Sequence, residues 1–269
     1  MKHGSLFSGI GGIDLGFERR GIETIWTCEI EDYPHSILQK RFPDAVHYRD
    51  VRNIDESVEK PDIISGGFPC QDISIAGKGA GIDGERSGLW AEMFRIIGLL
   101  RPKYTLIENV PMLVHRGLSR VLSDLASIGY DAEWQIISAK DVGAWHLRKR
   151  IFIVSYTDNT GLEKQWLGIT NGKKQPAVKC LRENVSDSES VGQRGRSMRN
   201  YSRDKPENIQ ARNKGWGKTF KYLREWKTEP GVGRVAHGIS RRVDRLKCLG
   251  NAVVPQVAEL IGKYIVRVD

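Results

Sequence analysis

The chain has 269 residues, 39% of them hydrophobic, with 42 lysines and arginines against 33 acids for a formal net charge of +9. That is enough apolar material for one large domain, with or without a small appendage, and no window reaches the eighteen or so apolar residues of a membrane span. The four cysteines are widely spaced, with no Cys-x-x-Cys pair and no flanking histidine at zinc-ligand spacing, which argues against a disulfide scaffold or a metal module and for a reducing, cytoplasmic setting.

From the N-terminus the chain runs directly into strand-like sequence, so neither export nor membrane insertion is expected. Up to residue 156, short β-type segments alternate with amphipathic helical ones, the pattern of a mostly parallel sheet covered on both faces. The spacing predicts strands over 4–7, 24–28, 45–48, 62–65, 104–107, 133–137 and 151–155. Helices are predicted between them: 13–20, closed by Gly21; 34–42, stopping before Pro43; 89–100, stopping before Pro102; and 118–128, closed by Gly129. Residues 157–227 carry sixteen lysines and arginines against eight acids, so nearly all of the net charge belongs to one segment. That segment lacks apolar periodicity and is dotted with Trp166, Tyr201, Trp216, Phe220, Tyr222 and Trp226, a composition suited to a polyanion and equally to a solvated insertion. Regular sequence then returns, with a turn near Gly250-Asn251 and a closing helix over 255–266.

Several predicted strands end in residues that carry chemistry, which is where an open α/β sheet places its ligands. Phe7-Ser8-Gly9-Ile10-Gly11-Gly12 follows the first strand and opens the first helix, allowing a tight turn and close backbone approach to a ligand at the helix N-terminus. It is not the full Gly-x-Gly-x-x-Gly pattern, and small glycine clusters are often turns. The second strand ends in Glu29, twenty residues beyond Gly9, where an acid can hold a ribose hydroxyl pair. Asp50-Val51 follows the third strand, within reach of a base, though Asp50 is also placed to cap a helix. The fourth strand leads into Gly66-Gly67-Phe68-Pro69-Cys70-Gln71, and the fifth into Glu108-Asn109-Val110-Pro111, so a thiol and an acid would face one crevice. Cys28, Cys180 and Cys248 read as small buried hydrophobes.

Phe7-x-Gly9-x-Gly11-Gly12, Glu29, Asp50, Pro69-Cys70-Gln71-x-x-Ser74, Glu108-Asn109-Val110, Arg148-x-Arg150 and Gly250-Asn251-Ala252-Val253-x-Pro255, in that order, resemble the motifs of the DNA (cytosine-5) methyltransferase family. The match covers nearly the whole chain outside the basic segment. The resemblance implies a class I S-adenosylmethionine-dependent fold, a Rossmann-like doubly wound sheet, with a small basic target-recognition region. The expected organisation is a catalytic and cofactor-binding α/β domain over 1–156, a reduced recognition region over 157–230, and a segment over 231–269 that returns to the catalytic domain.

On this resemblance, S-adenosyl-L-methionine would lie against Phe7, Gly9, Ile10, Gly11 and Gly12, with Glu29 and Ile30 at the ribose, Asp50 and Val51 at the adenine, and Pro69, Asn251 and Val253 completing the pocket. Cytosine C5 is a poor nucleophile, and addition of the Cys70 thiolate at C6 would supply the missing electron density. Glu108 would hydrogen-bond or protonate N3 and the exocyclic amine, offsetting the charge that develops. Arg148 and Arg150 would position the ring oxygen, Cys70 or Glu108. A base that the sequence does not identify would remove the C5 proton before Cys70 leaves. No metal is implied.

The chain departs from the family at Trp145-His146, where Pro-Gln is usual; this substitution is expected to tune the site. The expected partner is double-stranded DNA, contacted by residues 157–230, with the target base withdrawn from the stack. Arg241, Arg242 and Arg245 are candidates for phosphate contacts or a solvated turn. A compact bacterial or phage-encoded monomer is the expectation. Three rivals remain: a transfer-RNA cytosine-5 methyltransferase, against which stands the lack of a Cys-Phe-Thr tripeptide; a non-catalytic DNA-binding protein of the same fold, against which stand Cys70 and Glu108; and a nicotinamide-dependent oxidoreductase, in which Pro69-Cys70-Gln71 and Glu108-Asn109-Val110 would lack a role.

Overall fold

A computed structural model of the chain describes residues 1–69, 88–157 and 241–268. Cys70, Gln71, Ser74 and Cys180, and the basic segment after Thr157, lie outside the described residues. Seven strands form one sheet: β1 (Lys2–Leu6), β2 (Glu23–Cys28), β3 (Val46–Tyr48), β4 (Ile63–Gly66), β5 (Tyr104–Asn109), β6 (Tyr130–Ser138) and β7 (Lys149–Thr157). Their order is β3-β2-β1-β4-β5-β7-β6. Strands β1 to β5 pair in parallel, and β7 runs antiparallel between β5 and β6. Every predicted strand is present, with β6 and β7 extended beyond their predicted ends.

Alternation along the central strands assigns the two faces. Ile64, Ile107, Ile151 and Ile153 point into one apolar cluster, together with Met93, Ile96 and Ile97 of α3 (Gly88–Leu100) and Val121 and Leu125 of α5 (Leu118–Ser127), which follows the short α4 (Leu113–Arg116). Ile63, Leu106, Phe152 and Val154 point the other way, onto Ile13 and Phe17 of α1 (Gly12–Glu18) and Ala258, Ile261 and Ile265 of the C-terminal helix, Pro255–Val268. Each of the larger side chains, wholly buried, contributes roughly 1.5–3 kcal/mol, so the two-faced sandwich is the dominant stabilising feature. Helix α2 (Asp32–Arg41) packs Leu38 with Phe42 and Ala45 beside β3.

Helix ends follow the local chemistry. Gly21 and Gly129 take left-handed backbone angles after α1 and α5. Arg101 does the same after α3 without being glycine (φ 52°), held by its guanidinium bond to the Ile128 carbonyl and by the Tyr130 ring 4.9 Å beneath it. The expected turn near Gly250-Asn251 is the end of a helix, α6 (Arg242–Asn251), with α7 (Pro255–Val268) following it. Among the α6 residues Cys248 alone is buried, while Val243, Leu246 and Leu249, spaced at i, i+3 and i+6, are exposed.

Winding reverses between β1 and β4, which are neighbours. The crevice above their carboxyl ends is the switch point of a doubly wound sheet, and it brings the 7–12 loop beside Gly66 and Gly67.

Candidate active site

Two groups of residues meet along the carboxyl edge of the parallel strands. The first is built on the loop from Phe7 to Gly12. Phe7 (φ 51°), Gly9 (φ 55°) and Gly11 (φ 79°) all lie in the left-handed region, and Gly11 caps α1 with no side-chain partner for the first-turn amides. Three left-handed residues in five turn the loop back on itself; for Phe7 this is a strained conformation of the kind concentrated at ligand sites. The Gly9 amide donates to Glu29 Oε2 at 2.8 Å, and the Glu31 amide donates to Oε1 at 2.9 Å, so one carboxylate ties the loop to the end of β2. Ile10 is half-buried, while Ile30, just beyond Glu29, is 61% exposed.

Asp50 lies two residues beyond β3, accepts from the Arg52 amide at 3.0 Å and pairs with the Arg52 guanidinium, which pulls its carboxyl down to about 2. It is thus a cap, the alternative its position allowed, and Val51 beside it is buried in the first core cluster. From the far end of the chain, Asn251 closes α6 and Val253 lies half-buried with its carbonyl against Gly12, where any Cβ would collide with that oxygen. The return of 250–253 to the glycine loop thus depends on glycine at position 12.

The second group surrounds Glu108, near the end of β5 and buried. Its Oε1 pairs with Arg150 Nε of β7 at 2.9 Å. Its Oε2 lies over Gly67, where an added Cβ would come within 2.6 Å. Burial raises the Glu108 pKa, opposed by Arg150 and Arg148, so the site favours a carboxyl that can carry a proton. Asn109 Nδ2 donates to the Phe68 carbonyl at 3.1 Å, and Phe68 is buried against Trp90. Those contacts fasten the Gly67-Phe68-Pro69 segment, which leads into Cys70, to the end of β5.

Arg148 acts on Glu108 through its charge but makes its hydrogen bonds elsewhere. Its guanidinium donates to Gly250 O at 2.6 Å and Ala252 O at 2.5 Å, and its backbone is left-handed (φ 32°), whereas Arg150 two residues on bonds Glu108. Burial and Arg150 lower the Arg148 pKa while Glu108 raises it; an arginine stays charged under such shifts. Trp145, His146 and Leu147 are exposed. Cys28 is a buried thiol pushed up to about 12, and Cys248 is likewise buried and raised, so neither is a reactive thiolate.

Gly67, beneath Glu108 Oε2, and Asn109, bonded to the Phe68 carbonyl, were left without a role by sequence reasoning; their only signal was membership of the two strand-end motifs. Among the described residues no cluster of histidine, cysteine and acids suits a metal ion, and no helix is long and apolar enough to cross a membrane.

Residues 1–245 match the family described as C-5 cytosine-specific DNA methylase. The chain is 37% identical over 163 residues to the Type II methyltransferase M2.BsuMI of Bacillus subtilis, covering 58% of this chain and 42% of that protein. It is 38% identical over 164 residues to the Type II methyltransferase M.Bsp6I of a Bacillus species, covering 58% and 52%. The matches thus span about half the length of these relatives. Among solved structures, a Spodoptera frugiperda DNMT2 shares the fold with a TM-score of 0.62 at 17% identity, covering 98% of this chain and 99% of that one.

Proposed function

Because the chain belongs to the C-5 cytosine-specific DNA methylase family, we propose that it is a DNA cytosine-5 methyltransferase using S-adenosyl-L-methionine and acting through Cys70. The observation that carries this reading is the Glu108 site: a buried carboxyl with a raised pKa, paired to Arg150 and seated on Gly67, three residues before Cys70.

The first group of residues fits the cofactor. A left-handed glycine loop with uncapped helix amides, a strand-end carboxylate on that loop and a second backbone pressed against Gly12 form a cradle for a nucleoside with a charged amino-acid tail. Phe7, Gly9, Ile10, Gly11, Gly12, Glu29, Ile30, Asn251, Val253 and Pro69 would hold it. The Asp50 and Val51 side chains, one capping a turn and one in the core, leave their backbone for the adenine edge. When bound, S-adenosyl-L-methionine supplies an electrophilic methyl group for C5.

The chain's own groups prepare the base. The Cys70 thiolate adds to C6, forming the S–C6 bond and moving the ring electrons toward C5 and N3. Glu108 gives its proton, or a strong hydrogen bond, to N3, and Arg150 holds the carboxylate in place through the exchange. Once C5 is methylated, loss of its proton returns the electrons to the ring and expels Cys70 as thiolate. The surplus of eight positive charges over 157–227 supports residues 157–230 as the DNA-contacting region, and the packing of α7 on α1 and the sheet supports 1–156 with 231–269 as one catalytic unit.

The test is transfer of labelled methyl groups from S-adenosyl-L-methionine to unmethylated DNA by the wild type and by Cys70→Ala, with transfer RNA in parallel. Labelled DNA that disappears in the variant is expected. Preferential labelling of transfer RNA, a folded but inert wild type, or labelling that survives Cys70→Ala would each overturn the reading.

A further inference from the structure

We infer that Arg148 is a positioning residue for the cofactor half of the site: it pins the 250–253 loop to the start of β7 and so holds Val253 against the glycine loop. The inference rests on the cofactor reading above.

The two carbonyls that Arg148 takes, Gly250 O at 2.6 Å and Ala252 O at 2.5 Å, flank Asn251, and the residues they bridge lie 102 and 104 positions away in sequence. One guanidinium fork thus spans the last turn of α6 and the first residue after it, where helix carbonyls lack partners of their own and the helix dipole favours a cation. The same loop is gripped from the opposite side by α1. Gly12 meets the Val253 carbonyl, and a Cβ at Gly16 would come within 2.5 Å of both Ala258 Cβ and Pro255 O.

Arg148 itself is set in place from both directions. Before it, the Leu147 carbonyl accepts from the Ala139 amide at 2.8 Å and from Ser138 Oγ at 2.7 Å. After it, Lys149 enters the strand register opposite Ser138. Between these fixed neighbours Arg148 takes its left-handed angle, which turns its side chain out of the strand's alternation and toward α6. Its buried Nε has no hydrogen-bond partner among the described residues, so both bonds made by the side chain come from its two terminal nitrogens. Lysine, with one nitrogen at the tip, cannot reproduce a planar fork that reaches two carbonyls at once. The loop that carries Asn251 and Val253 therefore depends on the residue that immediately precedes β7, two positions from the arginine that holds Glu108.

The experiment measures binding of S-adenosyl-L-homocysteine, without DNA, to the full-length wild type, Arg148→Lys, Arg148→Ala and Arg150→Ala by titration calorimetry, with circular dichroism to establish folding. Arg148→Lys should weaken binding at least about tenfold, Arg148→Ala further, and Arg150→Ala by less than about twofold because its side chain lies on Glu108. In turnover assays Arg148→Lys should raise KM for S-adenosyl-L-methionine while keeping most of kcat at saturation, a split that general destabilisation does not produce. Unchanged affinity in folded Arg148→Lys, or a fall in kcat at unchanged KM, would overturn the inference and return Arg148 to the base. A wild type that does not bind S-adenosyl-L-homocysteine would overturn the cofactor reading itself.

Discussion

A histidine and an aspartate share a sealed compartment beneath the glycine loop, and their removal one at a time should give opposite pH dependences of stability. His3 on β1 and Asp14 in the first turn of α1 are both fully buried, with His3 Nδ1 3.8 Å from Asp14 Oδ1. Around them stand only neutral partners: Ser65 Oγ at 2.7 Å from His3 Nε2, Thr24 Oγ1 at 3.1 Å from Nδ1, and Ser5, whose hydroxyl donates to Asp14 Oδ2 at 3.2 Å. Burial lowers His3 from 6.5 to about 3 and raises Asp14 from 3.8 to about 7, the latter against the opposing pull of its backbone amide and Ser5. Between about pH 4 and 6.5 the folded pair therefore holds one proton, and the unfolded chain also holds one, on the histidine rather than the acid. With equal proton counts the pair adds no slope to stability in that window.

Each substitution uncovers the half that the other conceals. Asp14→Asn leaves a histidine with a depressed pKa, whose stabilisation is present above about 6.5 and is lost as pH falls toward 3. His3→Gln leaves a carboxyl with a raised pKa, whose stabilisation is complete below 3.8 and is lost as pH rises through about 7. At 1.36 kcal/mol per pH unit for one proton, and relative to wild type, stability should rise by about 2 kcal/mol from pH 4.5 to 6 in Asp14→Asn and fall by about 2 kcal/mol in His3→Gln. Urea unfolding at three pH values in that range, followed by the fluorescence of the buried Trp26 and Trp90, reads both slopes. Curves of both variants parallel to wild type within about 0.5 kcal/mol would refute the argument, because the cancelling terms would then not exist.

Two further outcomes follow from the site. Gly67→Ala places a methyl group 2.6 Å from Glu108 Oε2, and because Arg150 holds the other oxygen the carboxyl must tilt away from the base. The expected result is a fall in kcat of roughly 10- to 100-fold with unchanged circular dichroism, the scale of a displaced general acid; wild-type kcat would show that the carboxyl has room to yield. DNA affinity should fall steeply between low and physiological salt, by a slope of about 0.9 in log-log terms per phosphate contacted. A flat response would remove the basic surplus over 157–227 from the phosphate-binding surface.

The sheet was legible because its strands announce themselves twice, by apolar runs such as Asp62-Ile63-Ile64-Ser65 and by the glycine, proline or acid that ends each one. Antiparallel β7 and its position between β5 and β6 carry no such mark, since pairing partners are chosen across the sheet and not along the chain. Helix α6 escaped for a different reason. Tertiary bonds from outside, Arg148 on its last carbonyls and Lys247 on Glu31, supplement its own ladder, and an amphipathic pattern records neither.

Arg148 shows most sharply where spacing misleads. Two arginines at i and i+2 of a strand share a face, so Arg148-x-Arg150 reads as a pair converging on one ligand. That inference assumes both residues are in the strand, and β7 begins at Lys149. One residue earlier, a single left-handed backbone angle is sufficient to send the first guanidinium to the helix that ends at Asn251 while the second stays on Glu108. On the proposed roles the two arginines serve different halves of the site although both act electrostatically on Glu108, and separating KM for S-adenosyl-L-methionine from kcat distinguishes them where loss of activity alone does not.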